Sequence, residues 1–180
     1  MLLKWQDIHL HILTVVWLFP IIFMLHDFEE ILTIERWVKR NKDVVLEKLP
    51  PSLHKFFYSS FQVTTLQFSQ DVFRIFLVII AATLMAALFS FYFPFLMLLA
   101  LFIAHVFTHT GSAIYLRKYT PGVITAIVIV FPYSLYAYYR LLEEAVITGK
   151  DIFWSGLCMV AAVPFLILYL VHRRNRFSKG

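Results

Sequence analysis

Apolar residues along this chain fall into five long runs separated by short polar breaks, at about 8–34, 61–91, 94–116, 122–142 and 152–172. A helix needs about 20 predominantly apolar residues to cross a bilayer, and each run is long enough. The pattern therefore predicts an all-α, polytopic membrane protein: five transmembrane helices in one domain covering residues 1–180. The first break is different in kind. Between Trp37 and Leu49, Lys39, Arg40, Lys42 and Lys48 alternate with Val38, Val44, Val45 and Leu46, the pattern of an amphipathic helix lying in the membrane interface. Pro50-Pro51 ends it, and Ser52 is placed to cap the next helical stretch. The uncharged stretch Ser90-Phe91-Tyr92-Phe93 predicts a tight turn at the membrane surface. Pro132 predicts a kink in the fourth helix, and Tyr138 and Tyr139 an aromatic belt.

Composition supports this reading and excludes others. The chain is 61% hydrophobic with 19 Phe and a mean hydropathy of +0.76, against roughly half apolar for a soluble domain. One cysteine, Cys158, leaves no disulfide framework or thiolate cluster. The net charge of +5 sits at the ends of the runs, which argues for membrane topology and contact with anionic lipid, not for nucleic acid. Twelve of the 16 Lys and Arg fall on the side holding the first and third breaks and the C-terminus, and three on the other. The positive-inside rule then places the N-terminus outside and the C-terminus in the cytoplasm. The first run makes a poor signal peptide, being interrupted by His9 and His11 and lacking a small-x-small site.

The candidate chemistry lies where the apolar pattern is broken from within. The first run contains His26-Asp27-Phe28-Glu29-Glu30, and ionisable groups inside a membrane helix mark functional sites. His26, Glu29 and Glu30 stand at i, i+3 and i+4, on one helix face. His105 and His109 repeat the i,i+4 spacing in the third run. Counting about 1.5 Å per residue from the cytoplasmic ends, His26 lies roughly 15 Å deep, Glu30 roughly 9 Å, His109 about 12 Å and His105 about 18 Å. The same count puts Gln67 about 15 Å, Asp71 about 21 Å and Tyr133 about 18 Å deep. Four helices thus bring polar groups to one slab of the membrane. His9, His11, His54 and His172 lie near the surfaces, and Glu143 and Glu144 read as a solvated loop.

His26-x-x-Glu29-Glu30, the later His109, and Tyr119-Thr120-Pro121-Gly122 together resemble the HXXEE family of small bacterial membrane proteins. The resemblance covers nearly the whole chain. It implies a five-helix protein of the bacterial inner membrane, marks His26, Glu29, Glu30 and His109 as a signature, and supplies no activity.

From the residues themselves, the sharpest expectation is a metal centre. His26 and Glu30 would ligate from one helix and His109, with His105, from another, holding zinc or, second, iron. Glu29 would act as a catalytic base, with Gln67, Asp71 and Tyr133 orienting the ligands. A water on the metal could then hydrolyse a lipid or lipid-like substrate. Three other readings fit the same residues: a proton- or ion-coupled transporter or relay, whose path a homodimer could complete; a polar cluster that only fixes helix packing; and a haem held by an axial His.

Overall fold

The structure is a computed structural model and describes residues 10–50, 54 and 62–177. The Ser52 cap and the predicted start of the second run at Phe61 lie outside the described residues. Among those described there are helices and turns but no strand. The helices are α1 (Ile12–Lys48), α2 (Thr65–Phe89), α3 (Phe93–Leu116), α4 (Val123–Glu143) and α5 (Gly149–Phe177). All five are long and apolar enough to cross a membrane.

α1 packs against α2 and α4, and α3 packs against α2, α4 and α5. Helices α1 to α4 thus enclose a core, with α5 outside, leaning on α3. The core is aromatic at its centre. Phe19 is fully buried, meets Phe95 edge-on at 5.1 Å and stacks on Tyr133 at 6.2 Å. Phe102 and Phe76 extend the cluster through Phe23. Aromatic pairs of this kind contribute about 0.5–1.5 kcal/mol each beyond the area they bury.

Local chemistry sets the helix ends. Thr64 and Gln67 form a reciprocal capping box at the start of α2. Glu35 of α1 reaches the same place, accepting from the Thr65 amide and hydroxyl, each at 2.8 Å. At its other end α2 stops at Ser90, in the left-handed region at φ 53°, and Pro94 opens α3. The turn between them is as short as its uncharged sequence predicts. Arg117, also left-handed, ends α3.

Three sequence expectations change. The amphipathic stretch Trp37–Leu49 forms, but as the continuation of α1 up to Lys48. At about 1.5 Å per residue α1 is about 55 Å long, well beyond a hydrocarbon core of about 30 Å. Its extension runs against the end of α3 instead of standing alone: Tyr115 donates to the Lys48 carbonyl at 2.8 Å, and Trp37 donates to the Tyr119 carbonyl at 2.6 Å. In α4, the irregularity lies ahead of Pro132, in a π-helical turn at Ala126–Val130 where the Phe131 amide bonds Ala126. Proline cannot donate to the carbonyl four residues back and its ring crowds it; one widened turn absorbs both effects. Glu143 and Glu144 are not simply solvated. Both pair with the buried Arg140, which also donates to the Leu10 carbonyl at 3.2 Å and ties the end of α4 to the start of α1.

Candidate metal centre

The two His-bearing faces meet. His26 and Glu30 from α1 and His105 and His109 from α3 each bring one ligand atom to a common point, all within 4.8 Å of one another. The His105 and His109 Nε2 atoms are 2.7 Å apart, and Glu30 Oε1 is 3.2 Å from His109 Nε2. The His26 ring stands edge-on to both, with centroids at 5.3 and 5.1 Å. Two donors on a tetrahedral zinc at about 2.0–2.1 Å would stand about 3.4 Å apart. The His105–His109 and Glu30–His109 donor separations, 2.7 and 3.2 Å, fall short of that value by 0.7 and 0.2 Å.

The protonation pattern at His26 is set by its hydrogen bonds. The Thr125 hydroxyl donates to Glu29 Oε2 at 2.6 Å, so its oxygen accepts from His26 Nδ1 at 2.9 Å. With the proton on Nδ1, His26 Nε2 carries the lone pair. That atom is buried without a hydrogen-bond partner and belongs to the ring that faces the other two imidazoles. A carboxylate acting through a second group on the remote nitrogen is how proteins fix the tautomer of a metal-binding histidine. His109 is held on its far side by the Pro121 backbone.

Glu29, expected as a base, is therefore placed elsewhere. Its oxygens take the Thr125 amide at 2.8 Å, the Thr125 hydroxyl and the Tyr119 hydroxyl at 2.7 Å. It caps the first turn of α4 and positions Thr125, and through it His26. On α1, the 100° per residue that separates Glu29 from Glu30 is enough to direct one carboxylate to α4 and the other to α3. Burial, followed by the bond to Glu29, raises the Tyr119 phenol above its ordinary value, so it stays a neutral donor.

The turn before α4 closes the site. Gly122 has φ +81°, and a Cβ there would lie 2.9 Å from Glu30 Cγ, His109 Cε1 and His26 Cε1. Only a residue without a side chain allows the backbone this near to three of the four converging residues. Thr120 donates to the His109 carbonyl at 3.4 Å.

The three expected orienting residues fare differently. Asp71 is buried and lines the same cavity as Glu30 and His105, with Arg74 3.7 Å away. Gln67 is not at the site: α2 begins only at Thr65, so Gln67 is in its first turn and caps Thr64. Tyr133 is buried but donates to the Val15 carbonyl at 3.0 Å, joining α4 to α1 on the aromatic side of the core. Sequence reasoning missed three residues. Asp27, 6% exposed and with Oδ2 unpartnered, faces the cavity beside Glu30; its i,i+3 spacing to Glu30 was the available signal. Gly122 and Thr125 gave none beyond the Tyr-Thr-Pro-Gly turn.

A family profile described as "Protein of unknown function with HXXEE motif" matches residues 17–137. The chain belongs to the HXXEE family. The match covers α1 from Trp17 onward, all of α2 and α3, the glycine turn and most of α4; α5 lies beyond it. No curated protein and no solved structure matches the chain.

Proposed function

We propose that this HXXEE protein holds one divalent metal ion between α1 and α3, bound by His26, Glu30, His105 and His109. The observation that carries the reading is the buried, unpartnered Nε2 of His26, on the ring that faces two further imidazoles. A polar-cluster role would leave that nitrogen unsatisfied at a cost of about 1–3 kcal/mol. Three imidazoles and one carboxylate suit zinc, with iron second. Held by these residues with one position left open, such an ion would supply a water of lowered pKa as a nucleophile. The protein then acts as a metal-dependent hydrolase of the bacterial inner membrane on a substrate that reaches the site from the lipid.

Elemental analysis of protein purified without chelator tests the centre. We expect near-stoichiometric divalent metal in the wild type and loss of most of it in His26→Ala, Glu30→Ala and His109→Ala. Folded wild-type protein free of metal, even after incubation with zinc, would overturn the reading.

A further inference from the structure

One cavity of 250 Å³ opens from the converging ligands into the space between α1, α2 and α3, with Leu166 of α5 at its side. Its polarity is graded, and three helices give the same direction. On α1 the lining goes from Glu30 and Asp27 to Phe23 and Phe19; on α2, after Phe68, from Asp71 to Ile75 and Ile79; on α3 from His105 to Phe102 and Leu98. α1 and α3 run the same way through the bundle and α2 the opposite way, so the polar residues gather towards the α1 extension, where Phe68 is the one apolar α2 lining residue beyond Asp71, and the other apolar residues lie towards the other surface. Glu30 to Phe19 is 11 positions, about 16 Å of helix. Apolar side chains of three helices line that length, and a volume of 250 Å³ makes it a small slot. The groove on the outer face of α1, between Trp17 and Ile80, is apolar throughout and has no such polar end.

We infer that the slot is the substrate's tail pocket, and that the site takes a single-chain amphiphile: a long acyl chain lying along Phe23, Ile79 and Leu98, its polar head at Glu30 and His105. The inference rests on the metal reading for the position of the head but not for the position of the tail. A two-chain lipid exceeds the slot's volume, and a small soluble substrate leaves its apolar length without a use. The buried acids Asp27 and Asp71 make the head end the one place in the slot where a polar group finds partners.

Two probes separate the parts. Cobalt-substituted protein in lipid nanodiscs, titrated with acetohydroxamate and with dodecanohydroxamate, reports binding at the ion through its visible spectrum. Ile79→Phe and Leu98→Phe fill the slot away from the ligands. Both should keep the metal and bind acetohydroxamate as the wild type does. The preference for dodecanohydroxamate over acetohydroxamate should fall at least tenfold in each. Because partition into the bilayer is common to all variants, an unchanged preference would overturn the slot. Dodecanol, which has no chelating group, reads the tail alone by native mass spectrometry. One adduct on the wild type, lost in Ile79→Phe, supports the slot whatever the metal content; no adduct on the wild type counts against it. Failure to take up cobalt while the dodecanol adduct persists would overturn the metal reading and leave the tail pocket standing.

Discussion

At the scale of residues, the His-x-x-Glu-Glu stretch divides its labour by helix angle. His26 and Glu30, one turn apart, point to α3, and Glu29 points to α4. The i,i+4 pairs were legible in the sequence because helical spacing alone fixes which side chains share a face. The role of Glu29 was not, because spacing says nothing about which neighbouring helix meets each edge of that face. Gly122 was less legible still: its importance lies in three side chains that approach it from two other helices. It gives a sharp test. In Gly122→Ala the new Cβ must displace Glu30, His26 and His109 and also adopt a left-handed backbone, strain of about 1–3 kcal/mol. We expect the purified variant to retain its helical circular dichroism and lose at least nine-tenths of its metal. Gly111→Ala, where a Cβ meets nothing within 4 Å, should match the wild type in both. Full metal content in Gly122→Ala would show that the turn does not close the site.

At the scale of elements, the joint between α1 and the first turn of α4 organises the centre. Glu29 caps that turn, Thr125 passes its orientation to His26, and Tyr119 ties the preceding loop to the same carboxylate. The α1 extension supports the joint from below, through Trp37 on the Tyr119 carbonyl and Lys118 on Asn41. Periodicity correctly gave the number and order of the helices. It could not show that the amphipathic stretch continues α1, since a surface helix and a projecting one share the same pattern and differ only in what they pack on. Nor could it place Gln67, because the start of α2 is set by the Thr64 cap and Glu35, a contact across 30 residues. The joint predicts a graded effect. Thr125→Val keeps the shape but removes both the acceptor for His26 Nδ1 and the donor to Glu29. Loss of such an orienting group typically costs 10–100-fold in metal affinity, and we expect that range in a zinc competition titration. Thr125→Ser keeps the hydroxyl and should recover most of the affinity. Equal affinities for the valine and serine variants would mean that the hydroxyl does not orient the ring.

At the scale of the whole molecule, the distribution of charge and the depth of the site fit together. The five helices place the α1 extension and the turn between α3 and α4 at one end of the bundle, and Arg140, Glu143 and Leu10 at the other. Twelve of the 16 Lys and Arg belong, by sequence, to the first of these ends. That bias sets orientation when it lies within short loops and close to helix ends, which predicts this end to be cytoplasmic and Ser90 to face outward. Glu30 is then about 9 Å from the cytoplasmic surface at Arg36. The slot runs outward from it, so a substrate head would enter from the cytoplasmic leaflet and the metal would be drawn from the cytoplasm. Ser90→Cys, in a Cys158→Ser background, should react with a membrane-impermeant maleimide added to intact cells, and Asn41→Cys in the same background only after the cells are opened. A fluorescent reporter that matures only in the cytoplasm should be bright when fused after Gly180. The reverse labelling pattern would invert the molecule, place the ligands in the outer half of the membrane and require an outer-leaflet substrate. Labelling of both cysteines from outside would contradict the crossing of α2 itself, and with it the cavity that α2 helps to enclose.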